Sequence, residues 1–361
     1  MDEQIQAKDL NKSALKDFWY PVCQSHQLKN KPLARMLFSL PLVLFRNEAG
    51  RALAFFDLCP HRNAPLSAGK ITKKGLLECP YHGWRFNSLG ACVMIPGYHQ
   101  SQQQTMAQLI SYETIEQRDL VWVRLCSGSH ASKTPYYLPD YEAAGVVNGC
   151  NEELIEANFK EVLDNFVDSM HPHFVHKGIM YDDKKRQKLN VKVGTIYKLY
   201  AEKEIIGLEA LFENERINMG SNIFNMIAPK DPVEHYERYF KPLIHQAEYN
   251  YKNKIKVIVT FILSPETEST TRVFSKYTIK SRLPKLLTKF LLKKVLVKLL
   301  KQDKQILKMQ TEAIKKAGKK TFFYTPADLL PLYTKRFLSF LENGIPLDSI
   351  ECQSKDYEVF L

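Results

Sequence analysis

The 361-residue chain has no run of 18 consecutive apolar residues. The nearest approach, 33–45, is broken by Arg35, Ser39 and Pro41, so no bilayer-spanning helix is expected. The first residues, MDEQIQAKDLNK, carry acids and no apolar stretch, so they lack the pattern of a secretory signal. The cysteines number seven, an odd count with none of the spacing of a disulfide framework. Read as reduced thiols of a cytoplasmic protein, they direct attention to metal binding. Internal repeats and low-complexity segments are also missing. Acidic residues are the minority, 39 against 51 Lys and Arg, giving a formal net charge of +12. That balance suits an acidic partner: nucleic acid, an anionic membrane surface or an acidic carrier protein. Nucleic acid is the weakest of these, because the lysines crowd one helix without a binding motif beside them.

What is present is an ordinary globular composition, 45% hydrophobic and 25% charged, with a length that suits about two domains. From Phe18 to Leu125 short β-branched and aromatic runs alternate with turn signals such as Asn-Glu-Ala-Gly and Asn-Ser-Leu-Gly, the pattern of strands and hairpins. Beyond it the pattern predicts a helix over 152–170, strands between Leu189 and Ser281, and a long helix from Lys285 to about Lys316 that contains no Gly or Pro. The expected class is α+β. A tail at 1–17 precedes an all-β domain at 18–126, and a larger domain of antiparallel strands and long helices fills 127–361.

Two clusters carry chemistry. The first is Cys59-x-His61, seventeen residues, then Cys79-x-x-His82. Two tight loops that each offer one thiolate and one imidazole can clamp a metal centre, and Pro60 and Pro80 stiffen them. A tetrahedral zinc site uses the same ligand types, but zinc fingers pair Cys with Cys and His with His, whereas each half here mixes them. A Rieske centre, with two Cys on one iron and two His on the other, fits the mixture. The second cluster is Asp164, Asn165, Asp168, His171, His173 and His176. Asp168 and His171 are three apart, as on one helix face, and a carboxylate there can hold the second ring N–H of a metal-bound histidine. Spacing alone leaves open a solvated helix end, and it leaves open His173 with His176 as the metal pair. In the last long helix Leu292, Leu296, Leu299, Asp303, Ile306, Leu307 and Ile314 form one stripe. A carboxylate on that apolar stripe is costly unless paired or metal-bound, the plain alternative being a surface ion pair with a lysine.

The chain resembles the Rieske-type non-haem iron oxygenases, in their monooxygenase and demethylase branch. The resemblance is carried by WYPV at 19–22, CPHR followed by APLSAG, CPYHGWRF, GACVMIPG, Asn158-Phe159-Lys160, the run Asn165-x-x-Asp168-x-x-His171-x4-His176, and QDKQILKMQ. It implies a 2Fe-2S Rieske cluster on Cys59, His61, Cys79 and His82, and a helix-grip (START-like) catalytic domain. It also implies a mononuclear Fe(II) on His171, His176 and Asp303, with Asp168 bridging toward the Rieske histidine, here His82. Electrons would come from NAD(P)H through a separate reductase or ferredoxin, with O2 as co-substrate and a homotrimer as the assembly. The implied activity is hydroxylation or oxidative demethylation of an apolar or aromatic small molecule. The alternatives are a cis-dihydroxylating ring dioxygenase and a Rieske electron-transfer or ligand-binding protein without catalytic iron. The lysines at 285, 289, 293, 294, 298 and 301 surround an arc of Leu291, Leu292, Val295 and Leu299. This helix reads either as a core helix whose lysines snorkel to solvent or to an acidic donor, or as a peripheral contact at the inner membrane face.

Overall fold

The computed structural model describes residues 14–97, 107–126, 133–138, 141, 143–176, 179–180, 188–198, 201–216, 232–251, 255–280, 283–318, 321–345 and 355–360. The chain divides into two compact units, one of Lys16–Tyr137 with Ser264–Glu268, the other of Leu138–Leu263 with Ser269–Leu361. The sequence puts the boundary at 126/127, but Tyr137 still packs with the first unit, its ring under the Arg118 guanidinium. Most of the expected tail, 1–13, and the first residues of the expected second domain, 127–132, lie outside the described residues.

The first unit is all β, as its punctuation predicts. Its strands are β1 Tyr20–Gln24, β2 Leu33–Leu37, β3 Leu40–Arg46, β4 Ala52–Phe56, β5 Lys70–Ile71, β6 Leu77–Glu78, β7 Arg85–Phe86, β8 Cys92–Met94, β9 Ser111–Gln117 and β10 Leu120–Arg124. They form a six-stranded sheet ordered β1-β10-β9-β4-β3-β2 and a four-stranded sheet ordered β5-β6-β7-β8. Both predicted turns are built alike: Asn47 and Asn87 open them, and Gly50 and Gly90 close them at φ of 76° and 82°. The Asn87 side chain accepts from the amides of Leu89 and Ala91, which is why Asn suits that corner. A core of Val43, Phe45, Phe55, Leu66, Leu77 and Phe86 takes in Cys59 and Cys79, so the thiols are held from within.

The second unit is a helix-grip. Strands β11 Val146–Ile155, β12 Lys188–Lys198, β13 Ala201–Glu215, β14 Val233–Phe240, β15 Ile244–Tyr251, β16 Lys256–Thr267, β17 Thr270–Lys280 and β18 Lys355–Phe360 form one antiparallel sheet ordered β11-β17-β16-β15-β14-β13-β12-β18. Its helices are α1 Phe159–Val167, α2 Pro172–Val175, α3 Lys285–Ala317 and α4 Leu329–Glu342. Helix α3, closed by Gly318 in the left-handed region, packs against β11. Its buried stripe is Leu292, Leu296, Leu300, Asp303 and Leu307, each leucine adding about 1.5–3 kcal/mol by its burial. The expected stripe is therefore turned slightly: Leu300 takes the place of Leu299, and Ile306 is 39% exposed.

The predicted helix over 152–170 is corrected. Residues 146–155 are strand β11, paired with β17 along its whole length, and only 159–167 are helical. The glutamates that favour a helix are used as strand residues, Glu152 pairing with Arg272 and Glu153 with Lys304. Sheet pairing outweighs local propensity here. Gly149 belongs to the strand because a Cβ would lie 2.2 Å from the Tyr277 hydroxyl. Asn158 then caps α1, its side chain accepting from the Lys160 amide.

Candidate metal centres

In the first unit the two Cys–His segments fold into matching loops. The amide of Cys59 donates to Ala64 O while that of Asn63 donates to Cys59 O, and Cys79 with Trp84 and Gly83 repeats the pattern. Asn63 and Gly83, at the equivalent corner, both have positive φ, 54° and 68°. Asn and Gly are the residues that accept this conformation with least strain. The first loop is anchored below by buried Asp57, which accepts from the Ser67 amide and hydroxyl. The loops leave the cysteines buried and the imidazoles exposed. His61 and His82 lie with ring centroids 4.6 Å apart, and His61 stacks on Trp84 at 4.7 Å. Burial, together with a hydrogen bond to Cys79, pushes the Cys59 thiol up to about 11. Two thiols sharing one buried spot opposite two paired imidazoles suit a cationic cluster, which replaces the protons they otherwise keep.

In the second unit α1 stops at Val167, and Asp168 is extended at φ −77° and ψ 113°. Pro172 is the first residue of α2, where its missing amide costs nothing. The expectation of Asp168 and His171 on one helical face is thus corrected. Instead, the turn between the helices aims His171 back, its Nδ1 donating to the main-chain oxygen of Asp168 at 2.6 Å. The Asp168 carboxylate lies farther from that nitrogen, at 3.9 Å, and accepts from the Met170 amide. His176 Nδ1 pairs with Gln302 Oε1 at 3.1 Å, a partner the sequence pattern did not single out.

With both Nδ1–H groups committed to carbonyl acceptors, each ring turns a bare Nε2 toward Asp303. Asp303 Oδ1 lies 3.2 Å from His176 Nε2 and 3.5 Å from His171 Nε2, yet it is buried and meets neither in hydrogen-bond geometry. One ligand atom from each of the three residues falls within 4.8 Å of the others. Three lone pairs converging on one buried point fit a cation, and two imidazoles with one carboxylate form a facial donor set. Burial opposes charge on Asp303, but His171 and His176 hold its carboxyl below the ordinary range. His173 is not in this group; burial pushes it down to about 4, against the pull of the Glu215 carboxylate.

The three residues stand in the wall of a cavity that opens to solvent. Most of the lining is apolar, including Phe166, Met180, Tyr249, Phe261, Leu296 and Leu299. Asp168 also lines it. The sequence reading missed a buried chain on β13, β14 and β15, in which Glu215 meets His235 at 2.6 Å, His235 meets Glu237 at 2.7 Å and Glu237 meets His245 at 2.5 Å. The available signal was parity, since His235 and Glu237 share the inward face of β14 with Val233 and Tyr239. A bulge between Phe212 and Glu215 brings the glutamate to that face.

Comparison with known proteins gives the Rieske 2Fe-2S domain over residues 18–113 and the vanillate O-demethylase oxygenase C-terminal domain over 155–339, more than half of the chain. This chain belongs to the Rieske-type oxygenase family. Its relatives among the Rieske oxygenases include the methylxanthine N3-demethylase NdmB of Pseudomonas putida, 33% identical over 192 residues covering 50% of this chain and 54% of that one. The oxygenase component of dicamba O-demethylase from Stenotrophomonas maltophilia is 33% identical over 168 residues, covering 45% and 48%. The chain thus spans about half the length of the curated relatives it matches. Dicamba monooxygenase bound to dicamba has the same fold, with a TM-score of 0.75 at 21% identity over 91% of this chain and 98% of that one. Pseudomonas putida NdmA with caffeine gives 0.71 at 20% identity, covering 90% of each chain.

Proposed function

We propose that this Rieske-type oxygenase is the terminal component of a multicomponent system, hydroxylating or oxidatively demethylating an apolar or aromatic small molecule. The observation that carries the reading is the unpartnered Oδ1 of Asp303 beside two bare imidazole nitrogens in an apolar cavity wall. Cys59, His61, Cys79 and His82 would hold a Rieske cluster, and His171, His176 and Asp303 a single Fe(II). When bound, the cluster supplies single electrons and the iron supplies O2 activation. The chain's own work is distinct from both. Asp168 O and Gln302 Oε1 orient the two imidazoles. Phe166, Phe261 and the leucines of α3 hold a ring-sized substrate and exclude water. Asp168, partly exposed between the two helices, is proposed as the group that couples the iron site to a Rieske histidine.

A reductase or ferredoxin drawing on NAD(P)H is the proposed electron source. A homotrimer in the cytoplasm is the proposed assembly and setting. Relatives named as N- and O-demethylases favour demethylation over cis-dihydroxylation. The test is metal content on protein purified without oxygen. About three irons per chain are expected, two with the cluster and one with the triad. Asp303→Ala should lose one iron and keep the Rieske electron paramagnetic resonance signal. One zinc and no iron would overturn the reading, and a wild-type chain that holds only the cluster iron after Fe(II) is added back would be an electron carrier.

A further inference from the structure

The cavity is long, and two repeats in the sequence set its length. On α3, Leu292, Val295, Leu296, Leu299, Leu300 and Asp303 recur at helical spacing, and all of them line it. From Leu292 to Asp303 that face runs about 16 Å at ~1.5 Å per residue. On the sheet, alternate residues of β15 and β16 line it in cross-strand rows: His245 with Phe261, Ala247 with Val259, and Tyr249 with Val257. At about 3.4 Å per residue the first row lies ~13 Å from the last. Helix and sheet thus give one length, greater than a single ring needs. The first row marks the metal-binding end, because Phe166, which shortly precedes Asp168, packs on Phe261 at 4.6 Å and on His245 at 6.4 Å. The last row marks the far end, where Tyr249 and Val257 join one buried cluster with Met180, Leu292 and Leu296.

The two ends differ in chemistry. Asp168, His171, His176 and Asp303 gather at the first. Glu237, beside Ala247 on β14, has its two oxygens on His235 and His245. Beyond Ala247 no ionised side chain lines the cavity among the described residues, and burial holds the Tyr249 phenol neutral, well above its ordinary value. An uncompensated charge would be costly there, whereas each methylene withdrawn from water is worth about fourfold in affinity. Ala247 is the smallest side chain in the lining and stands in the middle row, so the sheet leaves the passage between the ends open. We propose that the substrate is elongated, a ring near His171, His176 and Asp303 with an uncharged apolar tail that passes Ala247 to Leu292. Ala247 is the specificity-determining residue that sets the length admitted. The inference rests on reading this cavity as the substrate site, and it places oxidation at the ring end, with the tail untouched.

The test compares para-ethylphenol with para-hexylphenol by calorimetric titration of the anaerobic holoenzyme, since the two differ only in tail methylenes. The hexyl compound should bind the wild type about a hundredfold more tightly. Ala247→Leu fills the middle row, so it should cut that preference about tenfold or more while para-ethylphenol keeps its Kd within about twofold. The ratio of the two Kd values, wild type against variant, cancels the probes' different affinity for water. The analogue of para-hexylphenol whose tail ends in a carboxylate should bind the wild type at least about tenfold more weakly than para-hexylphenol itself. A wild-type preference below about tenfold, an unchanged preference in Ala247→Leu, or equal binding of the carboxylate would each overturn the proposal. If Ala247→Leu does not fold, Val295→Phe, which fills the far end from the helix side, should cut the same preference, and no change in it decides against the proposal. The two readings part cleanly: a chain that oxygenates nothing but shows the tail preference and its loss keeps this inference and loses the catalytic one, and the reverse result does the opposite.

Discussion

Asp168 has two jobs that lie on different atoms. Its main-chain oxygen fixes the His171 tautomer, and its carboxylate, which burial pushes upward, accepts from the Met170 amide and reaches the cavity. Replacement by Ala should spare the first job and remove the second. Asp168→Ala is accordingly expected to keep its iron and its Rieske spectrum while losing turnover. Asp168→Asn, which still accepts from Met170, should lose turnover as well. Normal product formation in either variant would remove the coupling role. Gln302 has one job, holding His176 Nδ1. Outer partners of metal-bound histidines are worth about tenfold to a hundredfold in affinity. Gln302→Leu should weaken Fe(II) binding by that factor in a chelator competition, whereas Gln302→Glu, still an acceptor, should restore it.

Strands β14 and β15 carry their charges by cross-strand pairing, and pH reads the result. His235 is raised from 6.5 to about 10, so its stabilisation is complete below pH 6.5 and is lost as pH rises through about 10. Burial opposes ionisation of Glu237, but His245 and His235 lower it from 4.5 to about 2. Its stabilisation is complete above pH 4.5 and is lost as pH falls through about 2. The Tm of the wild type should thus be highest near pH 5–6.5 and fall on both sides. A Glu215→Gln, His235→Gln, Glu237→Gln variant should show flatter limbs on the same plot. Parallel limbs in the two proteins would mean that the chain is not ionised as drawn. The reverse face of these strands bears its own network, with Arg238 paired to Glu209 and Glu248.

Across the whole chain the excess of positive charge is concentrated on the outer face of α3. Lys285, Lys289, Lys293, Lys294, Lys298 and Lys301 are exposed there, with Leu286 85% and Phe290 64% exposed beside them. No helix among the described residues is long and apolar enough to cross a membrane. A basic face of this kind steers an acidic protein, and the attraction is screened over about 10 Å at 0.1 M salt. Reduction of the cluster by an acidic ferredoxin should slow as salt rises, and Lys289→Glu with Lys293→Glu should remove most of that dependence in stopped-flow measurements. A salt-independent rate would exclude steering by this face. The same variant pair decides the membrane reading: the wild type should not sediment with vesicles containing phosphatidylserine, and salt-sensitive sedimentation lost in the variant would establish it instead.

The amino-acid order alone determined the parts whose chemistry is local. Cys59, His61, Cys79 and His82 are legible because a four-residue loop must carry its own ligands, its own Pro and its own left-handed corner. Asp303 is legible because a carboxylate on an apolar helical stripe needs a partner wherever the helix goes. The strand Val146–Ile155 was not legible, since its glutamates favour a helix until β17 supplies a neighbour. Nor was the choice between His171 and His173, which lie two apart and differ only in where the turn after Val167 aims them. Gln302, Glu215, His235 and His245 are ordinary polar residues along the chain. They become a tautomer lock and a buried charge chain only when a helix and three strands bring them within hydrogen-bond reach. Local sequence sets which groups can bind a metal; tertiary packing sets which nitrogen is bare, because that depends on what the other nitrogen meets.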